Sequence, residues 1–408
     1  MKKLFILFFC LIFLTITAQE NTNYFTKINF ENHIIVDNDK YLCLLSYSLP
    51  YNQLVFVKEN NRFLSGFSLS LEIFDESGFI KREYGTSKLS VDEFDLTNSS
   101  VLKIDGFTKI TFDQKKYTIK PFLSLDNTNI TVPCTPFEID LKNKLDSVLY
   151  SPIAVSKKNG GLYLLNENNS VKFEDENSSL LFLLYNKPSK IELKIRQDDK
   201  LVYSEELKSH LKGGIKYKEE NNSILLQVDT SFSNYNIFLL SNLNRFLDDG
   251  DFNTDIIIDG KVNSYKLKSE WISKPKSLAY PEIVISALGI IFPQDTVSKL
   301  SRVKDEDFYP KVKAIFSNKF PSKTKFNKQF NEFFQRVDYT EMNFRSLKSK
   351  LGVESDRGIV YIKYGKPDFI DREYKARDDV SEIWTYKSLS KTFIFTDKTG
   401  TGDYILVK

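Results

Sequence analysis

Phe67-Ser68-Leu69-Ser70-Leu71-Glu72-Ile73-Phe74 alternates apolar and polar side chains, then Asp75-Glu76-Ser77-Gly78 interrupts, and Phe79-Ile80-Lys81-Arg82-Glu83-Tyr84 runs back. Successive side chains of a strand point to opposite faces, so period-two alternation marks a strand with one buried face. The central stretch carries turn chemistry, with Asp and Ser able to bond local amides and Gly able to take positive φ. The whole reads as an antiparallel hairpin.

The surroundings extend this reading. Tyr41 to Leu49 is a strand-like run, and Lys116 to Asp126 is a late strand entering another turn. Short strands at this spacing predict an antiparallel sandwich over residues 19–148. The pattern then repeats. Ser179 to Tyr185 is a buried-strand run, and Lys190 to Arg196 leads through Gln197-Asp198-Asp199-Lys200 into Leu201 to Ser204. Ile224 to Val228 and Asp255 to Gly260 continue the series, which predicts a second sandwich over 149–272. Both sandwiches are expected to be Ig-like.

After Trp271 the period changes. Lys274 to Ser277 reads as a linker, and Pro281 suits a first helical turn. Ile283, Ile285, Leu288, Ile291 and Phe292 follow at helical spacing, and Val297, Leu300 and Val303 suggest a shorter helix. Beyond Pro321, the residues Phe326, Phe330, Phe333, Phe334, Val337 and Phe344 form the apolar stripe of a longer helix. Strands are expected to return at 360–364, 382–386, 392–395 and 403–407. The fold class is therefore multidomain and mainly β, with two tandem antiparallel sandwiches followed by an α+β domain at 276–408.

That last domain holds the densest motif, Gly352-Val353-Glu354-Ser355-Asp356-Arg357-Gly358 followed by Ile359-Val360-Tyr361-Ile362-Lys363-Tyr364-Gly365-Lys366-Pro367-Asp368. Together with Phe333-Phe334-Gln335-Arg336-Val337, Trp384-Thr385-Tyr386 and Gly402-Asp403-Tyr404, it resembles the GWxTD domain family of mostly uncharacterised secreted bacterial proteins. The order and spacing agree over roughly 130 residues. Val353 stands where the family pattern has Trp, and Ser355 where it has Thr. The resemblance implies no catalytic mechanism. It also implies that two sandwiches commonly precede the domain.

The chain has 408 residues, enough for two or three domains, and 41% hydrophobic with 27% charged residues fits a folded globular protein. Lys2 and Lys3 before the apolar run Leu4 to Leu14 read as a secretory signal over residues 1–18, with Ile16-Thr17-Ala18 as the cleavage site. Cys10 follows Phe8-Phe9, which does not suit a lipobox. No later stretch is long and apolar enough for a membrane helix. Removing the two signal lysines lowers the formal charge from +3 to +1, which argues against nucleic acid and anionic lipid as partners. Cys43 and Cys134 remain, and an oxidising compartment permits a disulfide between them, the alternative being two buried thiols.

The candidate binding residues are Asp356, Arg357, Gly358, Tyr361, Tyr364, Pro367, Asp368 and Trp384. Each also has a structural reading, and that reading is preferred: a salt-bridged turn for Asp356 and Arg357, a tight turn for Tyr364 to Asp368, core for Trp384. No catalytic residue is assigned. Only His33 and His210 are present, and no Gly-x-Ser-x-Gly elbow or Gly-rich phosphate loop occurs. No metal site or cofactor is expected. The acidic stretch Leu247 to Asp255 lacks the ligand spacing of a calcium loop and reads as a solvated hairpin loop.

These features point to an exported, non-enzymatic envelope protein that binds or assembles with another envelope protein, its oligomeric state open. A periplasmic location is expected, with peripheral outer-membrane association as a second option, since the family-like domain runs to Lys408. The alternative is a carbohydrate- or peptidoglycan-binding protein or carboxylate-based hydrolase. Two carboxylates facing each other across an aromatic-lined cleft would favour that alternative. An exposed apolar patch on the C-terminal domain would favour protein binding.

Overall fold

The computed structural model describes residues 25–37, 40–142, 152–168, 170–185, 190–207, 211–232, 234–346, 348–374 and 380–408. The expected signal segment and His210 lie outside the described residues. Strand accounts for 49% and helix for 22%, so the mainly β assignment stands. The chain divides into two compact units, one of residues 1–32 with 36–144 and one of 33–35 with 145–408.

In the first unit a three-stranded sheet, containing Lys40–Pro50 and Lys103–Phe112, faces a six-stranded one. Tyr47, Leu49 and Ile104 from the first sheet meet Phe67, Leu69, Leu89 and Leu123 from the second. The central hairpin is Arg62–Asp75 paired with Gly78–Val91, closed by Asp75 opposite Gly78. Asp75 Oδ1 accepts from the Ser77 amide at 2.8 Å, and Gly78 takes φ 117°. The turn therefore forms where its residues predict. Cys43 and Cys134 are both free, buried thiols, so no bridge joins them. Burial pushes each up to about 12, which makes them inert hydrophobes.

The second unit begins with a seven-stranded and a five-stranded sheet. Leu180, Phe182 and Leu184 from one sheet pack with Leu193, Ile195, Phe252 and Ile256 from the other. Tight hairpins in this region turn on Asp198-Asp199, Asn221-Asn222 and Asp259-Gly260, all at positive φ. Such pairs match the right-handed twist of the flanking strands, and short Asx side chains tolerate the left-handed region. The loop expected at 247–255 is instead largely strand, since Gly250–Ile258 pairs on both sides. Its inward residues Phe252 and Thr254 are buried, and that alternation outweighs the acidic composition.

The helical part follows. Pro281–Gly289 begins with its proline in the first turn, and Lys328–Asn343 is capped by Asn327, whose side chain accepts from the Phe330 amide at 3.1 Å. Phe330, Phe333, Phe334 and Val337 all enter the core. A further helix, Asp305–Lys319, was not read from the sequence. Pro310 within it obscures the pattern, although Phe308, Val312 and Phe316 recur every fourth residue and its first turn is acidic. The helical core is completed by Phe173 and Trp271, which precede it in the chain. Trp271 makes edge contacts with Phe173 and Phe326, so sandwich and helices share buried surface within this unit.

The segment 359–364 is not a strand. Asp356–Tyr364 is a helix, and the terminal sheet runs in chain order through Phe369–Tyr374, Val380–Tyr386, Lys391–Asp397 and Ile405–Leu406. A run of β-branched and aromatic residues over 360–364 is too short to outweigh the helix signals at both ends. Those signals are Ser355 before the first turn, Asp356 within it, and Gly365 at φ 80° just after the last.

Candidate functional site

Ser355 begins the site. Its Oγ accepts from the Gly358 amide at 3.0 Å and donates to the Gly352 carbonyl at 2.7 Å, so one hydroxyl caps the helix and ties down the preceding turn. Gly352 and Gly358 are needed for close approach. A Cβ on Gly352 would lie 2.0 Å from the Thr340 carbonyl oxygen, and one on Gly358 would lie 2.0 Å from that of Gly352. The signature is thus pressed against the Lys328–Asn343 helix, backbone to backbone. Glu341 on that helix accepts from the Val353 amide at 2.9 Å.

Asp356 and Arg357 do not pair with each other as the sequence suggested. Adjacent helix positions point in different directions. Asp356 Oδ2 accepts from the Leu406 amide at 2.7 Å and so holds the far edge of the terminal sheet. Arg357 turns to the sheet interior. Its Nη1 lies 3.3 Å from Glu382 Oε2, and its guanidinium stacks 3.9 Å from the ring centre of Tyr404 and 5.0 Å from that of Phe344. Glu382 is almost fully buried, its side chain 3% exposed. It also accepts from Arg372 Nε at 3.0 Å and Trp384 Nε1 at 3.2 Å. Two cations and an indole N–H compensate that buried carboxylate.

Residues 274–408 match the GWxTD domain. The chain matches no curated protein. Within the GWxTD domain, the position where the family pattern carries Trp is a core position: Val353 is 1% exposed and packs into the helical core. Trp384 is likewise core and surrounded by Phe344, Tyr361 and Phe395. Tyr361 stacks on Tyr339, centres 4.3 Å apart. Burial, with Tyr339 beside it, raises its hydroxyl. Tyr364 packs against Tyr386 and Phe393. The Tyr364 to Asp368 turn is tied to the sheet by its own contacts. Tyr386 donates to the Gly365 carbonyl at 2.8 Å, Pro367 is buried, and Asp368 accepts from the Lys387 amide at 2.6 Å. Arg336 donates to the Ile362 carbonyl at 3.1 Å, satisfying the helix C-terminus with a cation.

The proposed site residues therefore come together, but around a filled interior. The residue that joins Arg357 to Trp384, Glu382, escaped the sequence reading. Its signal was present: Glu382, Trp384 and Tyr386 share one face of a strand, and a carboxylate in an aromatic register demands partners.

Among the concavities outside the signature are two that border the helices. One, of about 580 Å³, lies where the second sandwich meets the helices and is lined by Asp248, Asp249, Tyr309 and Lys313. Asp198 is a third carboxylate on the lining, and the other two are ion-paired. Both Asp248 oxygens accept from Lys313 Nζ at 2.6 Å, while Asp249 binds Lys274 at 2.8 Å and the Trp271 amide at 3.0 Å. Among the described residues no cluster of His, Cys, Asp and Glu could hold a metal. His33 is buried, which lowers it to about 4. The other concavity, a groove of about 360 Å³ on the GWxTD domain, is lined by Ser277, Tyr280, Ile283, Tyr339 and Met342, with Lys276 and Arg345 also on its lining. Met342 is 83% exposed, Tyr280 52% and Tyr339 43%. Among the described residues no helix is long and apolar enough to cross a membrane.

Proposed function

We propose that this chain is an exported, non-enzymatic envelope protein that binds another envelope protein through its GWxTD domain, from a periplasmic location. The observation carrying this reading is the apolar groove of Tyr280, Tyr339 and Met342. Large apolar side chains exposed together around a concavity have an incentive to be covered. Tyr and Met are favoured at such surfaces because they bring contact area with adaptable geometry. The signature supports the reading indirectly, since its Asp, Arg and Tyr groups are engaged in holding helix to sheet and its Ser in capping the helix.

The test is affinity purification from intact envelopes, comparing the wild-type protein with Met342→Glu. The expected result is a reproducible protein recovered with wild type and lost with the variant, at unchanged melting temperature. Recovery of no reproducible partner, or equal recovery with both proteins, overturns the proposal.

A further inference from the structure

The strand Phe369–Tyr374 lies at one edge of the terminal sheet, and all six of its residues are exposed. It pairs with Val380–Tyr386 on one side. In an antiparallel strand alternate residues direct both N–H and C=O away from the neighbour, so the outer side offers a ready template for another strand.

Its two faces differ in chemistry. Ile370, Arg372 and Tyr374 stand opposite Trp384, Glu382 and Val380, and Arg372 reaches Glu382 at 2.9 Å, a carboxylate it shares with Arg357. Flanking Arg372 on that face are two exposed apolar side chains, Ile370 at 49% and Tyr374 at 76%. Phe369, Asp371 and Glu373 share the opposite face. Among the described residues Asp371 and Glu373 make no ion pair, although Lys387 lies over the Phe369 ring at 4.2 Å.

This pattern selects the occupant. Edge-to-edge pairing of two copies about a two-fold axis normal to the sheet brings same-face residues together. In either register that joins five residues of each strand, Asp371 meets Asp371 or Glu373 of the other copy, and like charges directly opposite are destabilising. A second copy is therefore disfavoured. A strand bearing lysine or arginine at alternate positions meets the two carboxylates, and its intervening apolar side chains cover Ile370 and Tyr374.

We propose that Phe369–Tyr374 takes up an extended basic segment of a partner protein as an added antiparallel strand. This rests on the protein-binding reading above and names the kind of segment bound.

The test uses the full chain and two synthetic octapeptides, one alternating lysine with valine and one alternating glutamate with valine. Binding is read by fluorescence anisotropy at physiological ionic strength and by amide hydrogen exchange over residues 369–374. The expected result is that the lysine peptide binds and protects those amides, with the glutamate peptide ~10-fold weaker or more. The double variant Asp371→Lys, Glu373→Lys, verified as folded by circular dichroism, should invert that preference. Equal binding of the two peptides, no protection of 369–374, or an unchanged preference in the double variant overturns the proposal. The envelope purification reads the Met342 groove separately. A partner recovered there alongside indifferent peptides would sink the edge inference and leave the protein-binding reading intact.

Discussion

At Gly358 the helix backbone comes so near the Gly352 carbonyl that a methyl group would overlap it at 2.0 Å, against backbone that cannot swing aside. Gly289 is the useful contrast, because a Cβ there meets nothing within 4 Å. Gly358→Ala is therefore expected to destabilise the domain by about 2–3 kcal/mol through overpacking. Gly289→Ala should be neutral or stabilising by up to ~1 kcal/mol, through helix propensity. Urea unfolding of both variants checks this, and a Gly358→Ala midpoint equal to wild type would refute the close-packing account. The importance of this motif was legible in its residues, but its role was not. Asp356 and Arg357 are neighbours in the chain, and only the helical turn between them sends one to the Leu406 amide and the other to Glu382.

Among the elements, the hairpins were the most legible. Asp75 to Gly78 and Asp198-Asp199 announce their turns through chemistry that acts over a few residues. The signature helix reads as a strand over 360–364 because β-branched and aromatic residues cluster there, while its evidence lies in the caps. Those caps yield an element-level prediction. Ser355→Ala removes the hydroxyl that accepts from the Gly358 amide and should cost about 1 kcal/mol, whereas Ser355→Thr, the residue of the family pattern, should cost much less. Thermal melts of both variants measure the difference. Equal losses would mean that the hydroxyl is not the cap. The edge strand Phe369–Tyr374 went unread for the opposite reason: being exposed on both faces, it carries no hydrophobic alternation.

For the molecule as a whole, part of the stability in acid comes from carboxylates that folding favours in the charged form. Hydrogen bonds from Ser77, then Lys115, hold Asp75 down to about 2, and Lys216 followed by Ser231 does the same for Asp229. Their unfolded forms titrate near the ordinary value of 3.8. Folded values below unfolded values mean that the stabilisation is complete above the unfolded pKa and is lost as pH falls toward about 2. Melting temperature should thus drop across that acid window. The Asp75→Asn, Asp229→Asn double variant should melt lower at neutral pH and show a shallower acid fall, and an acid fall as steep as wild type would contradict the assignment.

The sequence by itself determined the mainly β class, the turn positions, the aromatic stripe of the Lys328–Asn343 helix and the likeness of the C-terminal segment to the GWxTD domain. These depend on period, cap and turn chemistry, which act within a few residues of each other in the chain. Tertiary structure alone decided that Val353 is a core filler, that Cys43 and Cys134 stay apart, and that Trp271 completes a helical core. It also decided that Glu382 gathers Arg357, Arg372 and Trp384. Each of these depends on distances between residues far apart in sequence, and burial is what turns such proximity into energy.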